Sequence, residues 1–435
     1  MARRGRCTGA QPAPVEARGQ MMTQTCTERD SLPHAVFLKR LAGAPTATSV
    51  DGRLGNGAFL ALRLVDLLGP GSEPAHPDAF RYQHAATERM CRELPATSTE
   101  TGHLTGLVRS AAEAFRSRNP GQMIPALLAY AHHLEDELRL EEALDVLESL
   151  VAVGAERLGC SDAIAAQLRI GRVNRKLNRF DAADMAYALA GLLAEAAGDV
   201  HSAFLSRVGR ALSVQARGNL AMAEQSFHEI AAEARGAGER EIRAHAEHAL
   251  GTTLLLRGQV AEAIIHVWRA FEFYEDQASR LRTLNDLGVM LLALGRVDDA
   301  ERALNEVVRG GGARDNVSNA LIELMHCASY RRDRMGFERR RVECESRAEE
   351  MPPNILADFH LKVGIGSARF GNFRKARALL GEALNVAARS GLHELVFRIE
   401  RIMAGLRDCA TECKTKPHTG AEPAISAEAL QEVSA

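Results

Sequence analysis

Apolar residues over most of this chain recur at helical spacing, and the pattern itself repeats at a longer period. A large apolar anchor stands at Leu140, Phe180, Leu220, Val260, Val297, Met335 and Phe373, at intervals of 40, 40, 40, 37, 38 and 38 residues. Three residues after it come Ala143, Ala183, Ala223, Ala263, Ala300 and Ala376, with Glu338 the exception. Two residues before it stand Gly218, Gly258, Gly295 and Gly371, with Asn178 and Asp333 as substitutes and Leu138 as a misfit. Nine residues before it come Gly171, Gly251, Gly288 and Gly364, then Ala131 and Ala211, with His326 departing. Seven residues after it Leu147, Tyr187, Phe227, Val267, Leu304, Val342 and Leu380 fall on the same face of a second helix.

This register describes helix-turn-helix hairpins. Gly and Asn tolerate the left-handed conformation that ends a helix and turns the chain. A glycine inside a helix costs about 1 kcal/mol relative to alanine, so its recurrence nine residues before the anchor calls for a close helix crossing. Hairpins of this kind bury their apolar faces by stacking on their neighbours, which predicts an all-α array of seven repeats.

The hairpins resemble the tetratricopeptide repeat (TPR) family. In the clearest repeat Leu250-Gly251 and Leu254 fit the first helix, Gly258-Gln259-Val260 the turn, and Ala263, Val267 and Ala270 the second helix. The next matches with Leu287-Gly288, Leu291, Gly295-Arg296-Val297, Ala300 and Leu304. The resemblance covers Gly121 to Ala404 and implies a right-handed α-solenoid. The family's common period is about 34 residues, so the repeats here carry longer helices, similar to those of MalT-like activators, Rap-type peptide receptors and kinesin light chain. The repeat anchored by Met335 is degenerate, with His326, Asp333, Glu338 and Glu345 where others are small or apolar. It is expected to pack loosely and to serve as a hinge.

Outside the array the register is absent. Residues 1–55 mix Thr, Pro, Gly and Arg and are expected to form a disordered tail, apart from a short helix at Ala35 to Leu41. Residues 56–119 hold three helices, Ala58 to Leu68, Ala79 to Leu94 and Gly102 to Ser117, separated by Gly/Pro breakers. They form a cap or a small module in front of the array at 120–407. Ser161-Asp162 and Asp199 are expected helix caps, Glu394 to Leu406 a closing helix, and 408–435 a second disordered tail. Met21 and Met22 open an alternative start to Met1.

Composition removes several function classes. With 54 basic and 56 acidic residues the net charge is −2, so no global field favours nucleic acid or an anionic membrane. The run Arg331, Arg332, Arg334, Arg339, Arg340 and Arg341 is interleaved with Asp333, Glu338 and Glu343 and reads as a solvated face of ion pairs. Eight scattered cysteines imply a reducing compartment. The longest apolar stretch, Phe59 to Leu68, is too short to span a membrane, and a cytoplasmic location is expected. No phosphate-binding loop, nucleophile elbow or metalloprotease motif occurs. His132 and His133 point about 100° apart on a helix, and His245 with His248 lack a third ligand, so no metal or other cofactor is assigned. No nucleophile, base and oxyanion set emerges, and the chain is expected not to be an enzyme.

The family geometry implies a concave groove lined by the first helices. By register it holds Arg172, Arg175 and Lys176, then Leu205, Val208 and Leu212, then His245 and His248, then Arg282 and Asn285. Glu135 and Asp136 lie toward one end, Glu323 and Asp358 toward the other. Such a groove suits an acidic, partly apolar protein or peptide. The carboxylate clamp of chaperone-binding members is absent, since Gly209, Ala249 and Asp286 occupy its places. Two functions are therefore expected: a bacterial interaction scaffold that docks a partner in the groove, or a MalT-like or Rap-type sensor whose N-terminal helices carry the output.

Overall fold

A computed structural model describes residues 32–43, 49–69, 77–154, 158–311, 314–348 and 351–415. Among these residues the fold is all-α, with helices paired into hairpins and no sheet. The chain divides into two compact units within its first hairpin, Met1–Tyr130 with Glu148–Ala155 and Ala131–Leu147 with Glu156–Ala435.

The first unit contains α1 (Ala35–Gly43), α2 (Val50–Asp66), α3 (Pro77–Arg92), α4 (Thr99–Ser117) and the first half of α5 (Ile124–Asp136). The boundary drawn at residue 55 falls inside α2, and α1 belongs to the folded unit rather than to a tail. Two long-range contacts hold it there. Phe37 is fully buried, and Arg40 forks onto both oxygens of Glu100 at 2.8 and 2.9 Å. Tyr130 donates to the same carboxylate at 2.8 Å. Helices α1 and α2 cross at Gly55, where a Cβ would stand 2.5 Å from the Phe37 carbonyl oxygen.

The second unit is the repeat array. First and second helices alternate as α7 (Cys160–Lys176) and α8 (Phe180–Ala197), α9 (Val200–Ala216) and α10 (Leu220–Ala237), α11 (Arg240–Leu256) and α12 (Val260–Phe273), α13 (Gln277–Ala293) and α14 (Val297–Gly310), α15 (Arg314–Tyr330) and α16 (Arg334–Glu345), α17 (Pro353–Arg369) and α18 (Phe373–Arg389). They follow the hairpin of α5 and α6 (Leu140–Gly154), and α19 (His393–Thr415) closes the array, running past the expected boundary at 408. Asp199 caps α9 through the Ser202 amide at 3.0 Å. Helix α7 starts at Cys160 with Gly159 as its N-cap, so Ser161-Asp162 lies inside the first turn instead.

The recurrent glycines have the packing role that their cost demands. A Cβ on Gly171 would lie 2.8 Å from Tyr187, one on Gly251 2.4 Å from Val267, one on Gly288 2.7 Å from Leu304 and one on Gly364 2.9 Å from Leu380. Each glycine thus receives the side chain seven residues past the anchor of its own hairpin. The turn residue two before the anchor has positive φ, including the non-glycine residues Leu138 (56°) and Asn178 (58°).

The sixth hairpin departs by one residue. Its positive-φ residue is Arg332 (59°), α16 begins at Arg334, and Met335 is 82% exposed. Phe337, 1% exposed, takes the place that alanine holds elsewhere. Its ring lies against α17, where a Cβ on Gly366 would stand 2.3 Å from it. Across the junction with the preceding hairpin, α17 consequently packs on α15 and touches α16 sparsely. The expected looseness is confined to that one seam, because α15 is buried along most of its length.

Candidate functional site

Successive first helices touch one another, α7 with α9, α9 with α11, α13 with α15 and α15 with α17, whereas second helices pack chiefly on first helices. The first-helix side is therefore the inner side of the stack. Residues spaced three, four or seven apart on each first helix line up along it.

At α7 this spacing builds a cation cluster around one acid. Glu135 is 1% exposed and receives Arg169 at 2.9 Å, Arg172 at 2.6 Å and Lys176 at 2.8 Å. Burial alone would raise the Glu135 carboxyl, but Arg172, Lys176 and Arg169 outweigh it and hold the group below the usual carboxylate range. Burial lowers the Lys176 ammonium even against Glu135. Arg175 lies close to Tyr187 of α8, while its buried Nε has no hydrogen-bond partner. Tyr187 reaches this position between two glycines, since a Cβ on Gly209 of α9 would lie 2.2 Å from its ring. Three cations thus share one carboxylate, with Arg175 a turn away on the same helix, leaving the cluster positive.

Along α9 the expected apolar patch is smaller than the register implies. Leu205 and Leu212 are partly buried, but Val208 belongs to the core with Phe204 and Ala211. These three residues share one face, turned toward α10 and α11.

Farther along, the Tyr274 hydroxyl meets His245 Nδ1 at 2.9 Å, with Arg282 close by. Burial pushes the His245 imidazole down. His248 Nε2 lies 2.7 Å from Asp286, so each histidine has its own partner. Arg282 is exposed. Asn285 is 7% exposed, and its Oδ1 is buried without a donor. A buried acceptor left open in this way wants an N–H group.

Arg172, Arg175, Lys176, His245, His248, Arg282 and Asn285, the residues that the register nominated, lie on first helices, where they fall into two clusters. The register missed Arg169, although Arg169, Arg172 and Lys176 follow the three-and-seven spacing of one helix face. It also missed Tyr274, which ends α12 outside any periodic pattern. The paired residues His132 and Asp136 meet at 2.7 Å on the surface. In the arginine run, Arg331 pairs with Glu301 at 2.8 Å, Arg340 with Glu343 at 3.1 Å, and Arg341 with Glu338 at 2.7 Å. That segment is a face of ion pairs. No helix among the described residues is long and apolar enough to cross a membrane.

Fold and site together define an all-α TPR-like helical-repeat protein with a polar groove on its first helices. It is similar to the Rap conjugation gene regulator of plasmid pLS20 solved with the Phr* peptide, with a TM-score of 0.54 and 11% identity over 77% of this chain and 96% of that one. A Rap protein solved with competence and sporulation factor gives 0.49 at 10% identity, covering 79% and 98%. NprR solved with its cognate peptide NprX gives 0.46 at 12%, covering 86% and 91%. At these identities the likeness is one of fold. No family model matches the sequence, and no curated protein matches it.

Proposed function

We propose that this chain is a peptide-sensing regulator that docks a short acidic, partly apolar peptide along the inner face of α7, α9, α11 and α13, and that it acts by binding rather than by catalysis. The observation that carries the reading is the surplus of cations around Glu135 at one end of a face whose other end holds Arg282 and the open Oδ1 of Asn285. The cations suit carboxylates, and the amide oxygen suits a backbone N–H. Helices packed about 9–10 Å apart place these ends about 30 Å apart, the reach of roughly eight or nine extended residues. The peptide complexes of the pLS20 Rap regulator, of the other Rap protein and of NprR are in keeping with such a ligand. The separate N-terminal unit supplies a second body on which a bound peptide acts.

The test uses fluorescein-labelled synthetic octapeptides of graded charge, followed by anisotropy. Wild type should bind acidic, partly apolar members and the double variant Arg172→Gln with Arg282→Glu should not, while circular dichroism shows it still folded with Arg169 and Lys176 left on Glu135. Equal binding by the double variant would remove the groove from the proposal. Hydrogen exchange in α1–α4 should change when peptide is added. Unchanged exchange there would reduce the protein to a bare adaptor.

A further inference from the structure

A second polar cluster lies on α15 and α17, at Glu323 and Asp358 and apart from the two clusters on α7 and on α11–α13. Lys362 is buried there and held by two carboxylates, Glu323 and Asp358. Arg369, seven residues further along α17, has no such counterpart. It is 5% exposed, and among the described residues no carboxylate pairs with it.

Its neighbours hold the guanidinium without neutralising it. Nη1 donates to Ser329 Oγ at 2.7 Å, and the guanidinium carbon sits 3.6 Å from the centre of the Tyr330 ring. The Ser329 hydroxyl is itself committed, donating to the His326 carbonyl at 2.7 Å. His326 Nδ1 lies 3.5 Å from Nη1. Burial drives the His326 imidazole well below its ordinary range, and Arg369, Lys362 and Arg398 push the same way. It therefore adds no competing charge. The Tyr330 side chain also supports the cation, but the terminal nitrogen Nη2 is buried with no hydrogen-bond partner of its own. The ring and the negative C-terminal ends of α15 and α17 offset part of the charge, but they leave this donor open. A buried donor on an uncompensated cation is among the costliest groups a fold retains.

We infer that Arg369, oriented by Ser329 and Tyr330, is the docking point of one small oxyanion, carboxylate or phosphate, which accepts from Nη2. The inference stands apart from the peptide groove and does not rest on it. Nothing on α15 or α17 other than this guanidinium offers a buried, unshared cation.

Titration calorimetry and thermal unfolding of the full chain, with inorganic phosphate or sodium acetate replacing chloride at constant ionic strength, test it. Wild type should show saturable binding and a saturable rise in Tm with at least one anion. A response to phosphate alone assigns a tetrahedral ligand, and one to acetate alone assigns a carboxylate. Arg369→Gln should lose the response and Arg282→Gln, in the groove, should keep it. Ser329→Ala, which leaves the charge but frees Nη1, should weaken binding by about tenfold, the worth of roughly one hydrogen bond. No saturable response to either anion, or the same response in Arg369→Gln, overturns the inference. Should Arg369→Gln fail to fold, undiminished affinity in Ser329→Ala does so.

Discussion

Gly251→Ala tests the packing logic of the array most directly. The added methyl would stand 2.4 Å from Val267 Cγ2, 3.0 Å from the Ala263 carbonyl oxygen and 3.2 Å from the Val267 nitrogen. Two of these three atoms are backbone, so α11 and α12 must separate to admit it. Overpacking of this kind costs about 1–3 kcal/mol, and the backbone contacts place it in the upper half of that range. Alanine returns about 1 kcal/mol of helix propensity. The net expectation is a loss of about 1–2 kcal/mol. Gly381→Ala is the control, because α18 offers a Cβ there no neighbour within 4 Å. It should stabilise by about 0.5–1 kcal/mol, so one substitution acts with opposite sign at two helical sites. Urea unfolding followed by circular dichroism measures both. Adding Val267→Ala to Gly251→Ala removes the clashing methyls, and the double variant should be more stable than the two single changes imply. The reasoning fails if both alanines act with the same sign, or if the pair is additive within about 0.5 kcal/mol.

Two further outcomes follow from the buried charges and thiols. Glu135→Gln should cost about 1–3 kcal/mol at pH 7, below the usual price of breaking a buried pair because Arg172 is half exposed to solvent. The folded Glu135 carboxyl lies below its unfolded value, so its stabilisation is present above about pH 4.3 and fades as pH falls through the folded value. Urea midpoints of the variant and wild type should therefore converge in acid, and a constant gap down to pH 2 would contradict the assigned charges. Burial pushes the Cys327 and Cys344 thiols up to about 12, so both should resist maleimide at pH 8 in the folded chain. With α16 only sparsely joined to α17, Cys344 should become labelled at lower urea than Cys327, read by peptide mass spectrometry. Simultaneous labelling would show that the seam opens only with the whole array.

The hairpins were legible because their constraint is local and repeated. A crossing that admits only Gly251 opposite Val267, or Gly288 opposite Leu304, leaves the same mark in every repeat. The sixth hairpin misled for the same reason. Met335 has the size of an anchor, whereas the burial that defines the register falls on Phe337, two residues on. Helix α1 was undervalued because its partners, Glu100 above all, lie far along the chain. In the groove, spacing placed Arg172 and Lys176, but it could not reveal that both converge on Glu135 from the preceding hairpin. Nor could it show Val208 turning inward with Phe204 and Ala211. Tyr187 was read as packing alone, yet it passes between Gly171 and Gly209 to stand beside Arg175, a placement visible only when three helices are assembled.

The one-residue shift and the second polar cluster have a common origin. Where other hairpins place alanine at the crossing, the sixth places Phe337, and the bare backbone of Gly366 receives its ring. The ring fills the space that would otherwise join α16 to α17, and α17 settles on α15 instead. Two inner helices in direct contact bury the polar side chains that elsewhere would face the groove. Glu323 and His326 of α15 meet Lys362 and Arg369 of α17 in that seam. Lys362, already paired with Asp358 on its own helix, gains Glu323 from the arrangement, and Arg369 gains an aromatic ring and a hydroxyl but no anion. The repeat that departs most from the pattern is thus the one that concentrates unshared charge. Regular positions hold the array together, and the irregular hairpin creates a site that the regular ones cannot form.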